Sequence, residues 1–256
     1  MTSIEDQIQD NLYKFYDCIS ICTNLDSEKQ EHWAMMANKP PYWPRLIYRI
    51  HPNIFLPKSA ILFSERIKSG TYPELLIAGP ENISQTDPFL REQGFIPFSA
   101  WKGMAMSWSP NQILPEIPEA IEIVKPESIS DMEQWLKIVN TELIAPLKLD
   151  VSLLESMLAQ TGIEIFLLKQ NGVGVSTCLL FRTEISTGLY LIATLKSAQK
   201  QGFASLLVRY ILAQNALESK NPVILHATPL GELMYLKLGF ESFKHFYLYR
   251  QLNRSL

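Results

Sequence analysis

The chain has 256 residues, of which 47% are hydrophobic and 19% charged, and these proportions are typical of a folded globule rather than of a disordered chain. Its length allows one large domain or two smaller ones. With 23 basic and 26 acidic residues, the formal net charge of −3 leaves no cationic surplus for a phosphate backbone, so we expect no nucleic-acid partner.

A proline-rich stretch, residues 109–118, divides the chain near its middle. Its three prolines favour extended backbone and interrupt regular elements, which is typical of a linker. After it, residues 120–124 are predicted to form a short strand. Ser130 is then expected to cap a helix that runs to about Leu143, because Glu133 follows three positions later as in a capping box.

A second helix and a β-hairpin are predicted next. Asp150 is expected to cap this helix, which ends near residue 162. Two β-rich runs follow, Ile163–Gln170 and Val173–Arg182. The pair Asn171-Gly172 between them is typical of a tight hairpin turn, in which both residues take positive φ.

The remaining elements alternate between strand and helix. Residues 189–195 are predicted as a strand, and Phe203–Glu218 has the apolar spacing of a helix. Residues 222–227 form the next predicted strand, followed by a short helix over 230–238 and a strand over 240–252. The order β-α-α-β-β-β-α-β-α-β predicts an α/β (α+β) domain built on one mixed sheet.

The first half of the chain carries a partial copy of the second. Three segments of the first half have counterparts there: 73–80 matches 222–229, 90–98 matches 235–243, and Pro57–Lys68 stands in the place of Phe203–Glu218. Two fused copies of one topology are therefore predicted, with residues 1–110 as the first and residues 119–256 as the second.

The loop between the predicted strand 189–195 and the helix that begins at Phe203 is polar and contains one glycine, Gly202. The unpaired N–H groups of a first helical turn, together with the helix dipole, favour an anion at such a place. The loop has too few glycines for a dinucleotide fingerprint and lacks the Gly-Lys-Ser/Thr of a nucleotide P-loop.

This loop resembles the pyrophosphate loop of the GNAT superfamily of acyl-CoA-dependent N-acetyltransferases, which reads Gln/Arg-x-x-Gly-x-Gly/Ala. Gln199, Gly202 and Ala204 match that pattern. A second signature of the superfamily, a tyrosine four residues before a Gly-Phe pair, is similar to Tyr235 followed by Gly239-Phe240. The resemblance covers residues 119 onward and implies two fused GNAT-like folds, of which the first is degenerate.

The resemblance implies acetyl-CoA as co-substrate. The pantetheine arm is expected along a strand backbone, the pyrophosphate on the loop N–H groups with the Ser205 hydroxyl, and the 3′-phosphate near Lys200. The residues so implied in cofactor binding are Ala193, Thr194, Leu195, Gln199, Lys200, Gln201, Gly202, Phe203, Ala204, Ser205 and Thr228.

Tyr235 is the catalytic residue that the resemblance implies, as the acid that protonates the departing CoA thiolate. From its type alone a core aromatic is the favoured interpretation, and its position in the signature reverses that preference. Gln199 replaces the commoner arginine, and its side chain has the alternative role of capping the loop. Thr228 and Gly231 stand where many members have Asn and Ala.

The first copy is expected neither to bind CoA nor to catalyse. Its loop region, residues 53–57, has no glycine, and Leu90 replaces the tyrosine.

A general base is not evident from the sequence. His226 lies on the strand that leads to the cleft, where a hydrogen-bonded core histidine is the favoured interpretation. Glu164 and Glu184 are available as bases, but positions on solvated strand edges explain them equally well, and an amine can also lose its proton through water.

Three cysteines indicate free thiols in a reducing compartment. Cys18 and Cys22 share one helical face and Cys178 lies in a strand, so we expect core packing and no metal site. The acidic start of the chain has no apolar signal region, and no apolar run approaches the roughly 20 residues that span a bilayer. We expect a cytoplasmic protein without a membrane partner.

The predicted function is transfer of an acetyl group from acetyl-CoA to a primary amine of a small molecule or short peptide, by direct attack in a ternary complex. A non-catalytic acyl-CoA-binding or partner-binding module is the alternative, and a pair of sheets without any ligand is a third interpretation. Either a monomer or a homodimer fits the sequence.

Overall fold

The structure, a computed structural model, describes residues 2–22, 25–70, 72–81, 83–110 and 112–251. Asn111 in the predicted linker and Leu252 at the end of the last predicted strand lie outside the described residues. The helices of the described residues are α1 Ile4–Ser20, α2 Pro57–Lys68, α3 Ile83–Glu92, α4 Ile129–Glu142, α5 Val151–Leu158, α6 Phe203–Glu218 and α7 Glu232–Lys237.

The strands of the described residues form one sheet. They are β1 Asp26–Lys29, β2 Ala34–Ala37, β3 Arg45–Ile50, β4 Leu75–Ala78, β5 Phe95–Met106, β6 Ile121–Val124, β7 Ile163–Gln170, β8 Val173–Arg182, β9 Thr187–Thr194, β10 Val223–Ala227 and β11 Glu241–Gln251. Parallel and antiparallel neighbours both occur, so the predicted α/β fold with a mixed sheet is confirmed.

Local signals in the sequence explain most element boundaries. Asp150 caps α5 by accepting a hydrogen bond from the Leu153 N–H at 2.7 Å, as predicted. Asn171 and Gly172 turn the β7–β8 hairpin with φ values of 50° and 79°. The predicted cap at Ser130 is wrong, because the Ser128 hydroxyl accepts from the Asp131 N–H at 3.1 Å and the helix starts earlier.

The two halves of the chain exchange strands at the centre of the sheet. The strand order is β1-β2-β3-β4-β11-β5-β10-β9-β8-β7-β6. The strand β11 of the second half therefore lies between β4 and β5 of the first, and β5 lies between β11 and β10. The long antiparallel ladder between β5 and β11 joins the halves.

Helices cover both faces of the sheet. On one face α1, α4 and α5 share a single apolar core that includes residues of both halves, among them Leu12, Tyr48, Trp135 and Leu154. On the other face the core is split. The helices α6 and α7 cover one part and α2 and α3 cover the other.

Candidate functional site

The parallel strands β9 and β10 separate near the middle of the second half. Their pairing in the described residues ends at Leu189 and Leu225. Beyond this point β9 continues along β8 to Thr194, whereas β10 continues beside β5. A wedge opens between the two strands, and the β9 backbone beyond Leu189 presents an edge that no described strand pairs.

A β-bulge lies in β9 where the wedge opens. Opposite the single residue Cys178 of β8, β9 carries two residues, Leu191 and Ile192. Leu191 has a φ of 47°, in the left-handed region that residues other than glycine seldom adopt. A bulge bends its strand and re-aims the backbone groups that follow. The bend coincides with the divergence of β9 from β10.

The backbone groups of β9 divide between its two edges. The Leu195 N–H donates to the Val175 carbonyl at 2.9 Å, and the Ala193 carbonyl accepts from the Ser176 hydroxyl at 2.8 Å. Because successive strand residues point their N–H and C=O groups to opposite edges, Thr194 faces the wedge. Of the three residues predicted to hold pantetheine, only Thr194 presents its backbone to the open edge.

A loop containing the short 3-10 helix Lys196–Ala198 joins β9 to α6. The side-chain amide of Gln199 donates to the Thr194 carbonyl at 3.1 Å and ties the loop to the strand. Lys200 and Gly202 have φ values of 63° and 86°, so the backbone enters the left-handed region twice before α6 begins.

The N terminus of α6 has no side-chain cap among the described residues. Gly202 occupies the N-cap position, and a Cβ atom built on it has no heavy atom within 4 Å. The first-turn N–H groups of Phe203, Ala204 and Ser205 therefore face open space at the positive end of the helix dipole. This arrangement suits an anion such as a phosphate.

Side chains from neighbouring elements fix the rim of the loop. Glu142 at the end of α4 accepts from the Lys196 N–H at 3.1 Å. Across the wedge, Thr228 follows β10, and its hydroxyl accepts from the Gly231 N–H at 3.3 Å. Thr228 thereby starts the turn into α7.

Tyr235 lies on α7 and faces the core beneath α6. Its residue is 8% exposed, and its ring packs edge-on against Phe240 at a centroid distance of 5.9 Å. Burial, with a smaller contribution from the Cys178 thiol, raises the pKa of the Tyr235 phenol. A tyrosine hydroxyl is protonated at neutral pH in any case, and the raised pKa makes this one a weaker acid than a solvated phenol.

His226 is the first β10 residue beyond the last pair with β9. Neither ring nitrogen has a hydrogen-bond partner in the described residues, so the interpretation of His226 as a hydrogen-bonded core residue is wrong. The other two sequence candidates for a base lie elsewhere. Glu164 forms ion pairs with Arg182 and Lys125, and Glu184 is exposed between β8 and β9.

The corresponding place in the first half is closed. The strand β3 has a bulge against β4, with Arg49 at a φ of 56°, whereas the bulge of β9 lies against β8. The pairing of β3 with β4 resumes at Ile50 and Ala78. The Arg49 guanidinium binds both carboxylate oxygens of Asp17 on α1, at 3.0 and 2.7 Å. Pro57 in the first turn of α2 removes one N–H group there.

Other chemistry-bearing groups lie apart from the wedge or inside the core. Within the described part of the chain, no three His, Cys, Asp or Glu residues gather in a way that could hold a metal ion. Cys18, Cys22 and Cys178 are free thiols, and the latter two are buried. None of the helices described is both long enough and apolar enough to cross a membrane.

Comparison of the whole fold with solved structures gives extensive matches. A GCN5-related N-acetyltransferase from Kribbella flavida superposes with a TM-score of 0.73 at 15% identity, over 100% of this chain and 98% of that one. A tandem GNAT protein from the clavulanic acid biosynthesis pathway superposes with a TM-score of 0.61 at 11% identity, over 97% and 96% of the two chains. The chain has a tandem GNAT fold.

A third match supports the same fold. A GCN5-related N-acetyltransferase from Sphaerobacter thermophilus has a TM-score of 0.63 at 14% identity, over 87% of this chain and 81% of that one. No protein-family model matches the sequence, and no curated protein matches it. The predicted resemblance to the GNAT superfamily and the prediction of two fused GNAT-like folds are thus confirmed at the level of structure.

Within the tandem GNAT fold, the residues predicted to bind the cofactor surround the wedge and the start of α6, while the roles assigned to them stay predictions. Sequence reasoning missed the bulge at Leu191, because leucine has no preference for positive φ. One signal was available: Tyr190-Leu191-Ile192 and Tyr48-Arg49-Ile50 repeat the pattern Tyr-x-Ile at the two bulges.

Proposed function

We propose that the chain is an acyl-CoA-dependent N-acyltransferase that uses acetyl-CoA to acetylate a primary amine. The observation that carries this proposal is the open edge of β9 beside an uncapped α6 N terminus. An extended amide-containing arm and a pyrophosphate need these two features, a strand edge and an anion site, at one end of the sheet.

Acetyl-CoA fits the residues at this place as a co-substrate. Thr194 would hold the pantetheine amides at the wedge, and the N–H groups of Gly202 to Ser205 would hold the pyrophosphate. The exposed Lys200 and Gln201 stand on the outer side of the loop, where Lys200 would meet the 3′-phosphate. No acidic residue occurs between Lys196 and Ser205, and the one carboxylate described at the loop, that of Glu142, is hydrogen-bonded to the Lys196 N–H at its start.

The chain's own groups account for two parts of the transfer. An N–H group on the open edge of β9 would stabilise the negative charge that develops on the thioester carbonyl oxygen during attack by the amine. Tyr235 would give its proton to the departing thiolate. An acid positioned in this way is worth about 10²–10⁴-fold in rate.

The first half, residues 1–110, would wall the acceptor side rather than bind a second CoA, because its wedge is closed. The acceptor would be a small-molecule or short-peptide amine. We propose that the protein acts in the cytoplasm as a monomer or homodimer, without nucleic acid, membrane or metal.

The first test is thermal unfolding with and without millimolar acetyl-CoA. A ligand that binds only the folded state stabilises it by about 2.7 kcal/mol at a hundredfold excess over Kd, which raises Tm by several degrees. Gly202→Val should abolish this rise, since valine is strained at a φ of 86° and closes the space before α6.

Gly172→Val is the matched control for this test. Gly172 also has positive φ, 79°, and open space around its Cβ position, but it lies in the β7–β8 turn away from the wedge. The control variant should lose stability yet keep the rise in Tm with acetyl-CoA. If wild-type protein shows no rise, the cofactor proposal is wrong. A rise without thiol release in the presence of amines would instead favour a non-catalytic acyl-CoA-binding module.

A further inference from the structure

His226 projects onto the face of the sheet that α1 covers. Its strand neighbour Ile224 belongs to the core beneath α1, and the His226 ring meets Phe246 of that core edge-on at a centroid distance of 4.8 Å. The Tyr190 ring of β9 lies nearly parallel to it at 6.2 Å. His226 therefore stands between β9 and β11 on the side opposite α6, at the level where the wedge begins.

The imidazole of His226 has no described group to bind. Both ring nitrogens are covered, although the residue as a whole remains part-exposed. A covered polar atom without a hydrogen bond is uncommon, because it loses its contact with water and gains nothing in return. A catalytic role is one physical explanation for an unpaired atom of this kind, and its place beside the wedge agrees with that role.

The polar groups around His226 are engaged with one another. From β11, the Lys244 ammonium is held by Gln9 of α1 and by Glu81, which follows β4, each at 2.8 Å. The Tyr190 hydroxyl of β9 donates to Asn11 of α1 at 2.7 Å. None of these hydrogen bonds involves an imidazole nitrogen of His226.

The same surroundings keep the imidazole uncharged. Burial, followed by the positive charge of Lys244, lowers the pKa of His226 from 6.5 to about 3. A neutral imidazole carries one nitrogen lone pair that is free to accept a proton or a hydrogen bond. At neutral pH His226 is thus an uncharged proton acceptor, and Lys244 is the nearby charged group that helps to lower its pKa.

We propose that His226 accepts the proton that the acceptor amine loses during acyl transfer. The inference rests on the proposed function and adds a residue to it. The amine lone pair forms a C–N bond to the thioester carbonyl carbon, and the N–H proton passes to the free imidazole nitrogen. The C–S bond then breaks with its electron pair on sulfur, and the thiolate takes a proton from Tyr235.

The proton balance closes without another reactant. After the amide leaves, the imidazolium of His226 loses its proton to water that enters the wedge, and the Tyr235 phenolate regains one from water, so an amine and a thioester become an amide and a thiol. The lowered pKa makes His226 a weak base before the substrates meet, so the step depends on the cationic nitrogen of the tetrahedral intermediate being a stronger acid than a free ammonium ion. The nearby carbonyl oxygen, negative at that moment, favours an imidazolium beside it.

The test compares His226→Phe with His245→Phe, using acetyl-CoA, a panel of primary amines and a thiol-release assay. Phenylalanine keeps a ring against Phe246 but has no nitrogen, and His245 is an exposed histidine of β11. We expect His226→Phe to lower kcat/KM about 10²-fold with an unchanged acetyl-CoA-dependent rise in Tm. The control should retain wild-type kcat/KM.

A second variant separates proton transfer from packing. His226→Ala leaves a space for a ring, and added imidazole should restore part of its activity, whereas toluene should not. If wild-type protein turns over and His226→Phe stays within threefold of it, this inference is wrong and the proposed function stands. If wild-type protein binds acetyl-CoA but acetylates no amine of the panel, the proposed function fails and this inference with it.

Discussion

The two halves of the molecule share a strand bulge and use it differently. Arg49 in β3 and Leu191 in β9 both take positive φ at the same place in the topology. In the first half the pairing of β3 with β4 resumes at Ile50, whereas in the second half β9 and β10 never pair again among the described residues. A bulge by itself therefore does not open a sheet.

Side chains explain much of the difference. Arg49 turns its guanidinium to Asp17 on α1 and lies over the Tyr13 ring at 5.1 Å, so α1 holds this part of β3 in place. Leu191 at the equivalent position has no charge for α1 to bind. The helix that follows differs as well, because α2 begins with Pro57 whereas α6 begins after Gly202. The second half therefore combines an open strand edge with a glycine before its helix, whereas the first half has a paired edge and a proline in the first helical turn.

The largest effect should come from separating the halves. Residues 1–118 and 119–256, expressed as two chains, each lose an inner partner strand because β5 and β11 are exchanged. We expect neither fragment to show a cooperative thermal transition by circular dichroism, and a mixture of both to recover one. A fragment 119–256 that unfolds cooperatively and binds acetyl-CoA alone would contradict this.

Tyr235→Phe should reduce turnover at least tenfold, with little change in acetyl-CoA binding. The first half has Leu90 in place of this tyrosine, so the variant tests whether the Tyr235 hydroxyl is a functional difference between the two halves. The assay is thiol release at saturating acetyl-CoA. Tyr13→Phe serves as control, since Tyr13 is also buried and its hydroxyl has no described hydrogen-bond partner. Unaltered turnover in Tyr235→Phe would remove Tyr235 from the mechanism.

In the repeat that matches residues 73–80 with 222–229, Ile77 corresponds to His226. The variant His226→Ile therefore places the first-half residue in the second half. The folded-state pKa of His226, about 3, lies below its ordinary value of 6.5. Below about pH 6.5 the unfolded chain binds a proton that the folded chain does not, so wild-type stability falls between pH 6.5 and 3.

In His226→Ile this decline should be shallower. Free energies of unfolding from urea titrations at several pH values measure the slope, and the exposed His245→Ile should keep the wild-type slope. Identical slopes for wild type and His226→Ile would show that the imidazole is not kept neutral by folding.

Arg49→Leu places the second-half residue in the first-half bulge and should have the smallest effect. Loss of the partly buried ion pair with Asp17 should cost roughly 1 kcal/mol in free energy of unfolding. Turnover should not change, and calorimetry should still count one acetyl-CoA site, because Pro57 remains. Arg91→Leu, which removes the more exposed pair with Asp87, is the comparison variant. A second acetyl-CoA site in Arg49→Leu would mean that Arg49 alone keeps the first half closed.

The sequence predicted those features that depend on local chemistry. The hairpin at Asn171-Gly172, the cap at Asp150 and the limits of α6 follow from residues within a few positions of one another. The repeated segments also indicated two similar halves. The misplaced cap at Ser130 shows the limit of such signals, because Ser128 offers the same hydroxyl two residues earlier.

Features that depend on distant partners could not be predicted. The exchange of β5 and β11 is one such feature. Each strand is apolar enough for the interior of a sheet, so its residues suit a partner strand from either half. The lack of a hydrogen bond at His226 depends on Lys244, Gln9 and Asn11 choosing other partners. Neither the strand exchange nor these side-chain hydrogen bonds can be recognised from the spacing or the composition of the residues.

The position of β11 has a consequence for the order in which the protein is made. The strands β4 and β5 are synthesised early. The strand β11, which lies between them in the sheet, is the last of the described strands to be synthesised. Until β11 emerges, the edge of β4 and one edge of β5 are open to pairing with other nascent chains. The first half is therefore open to such pairing throughout synthesis of the second, and slower translation lengthens that exposure.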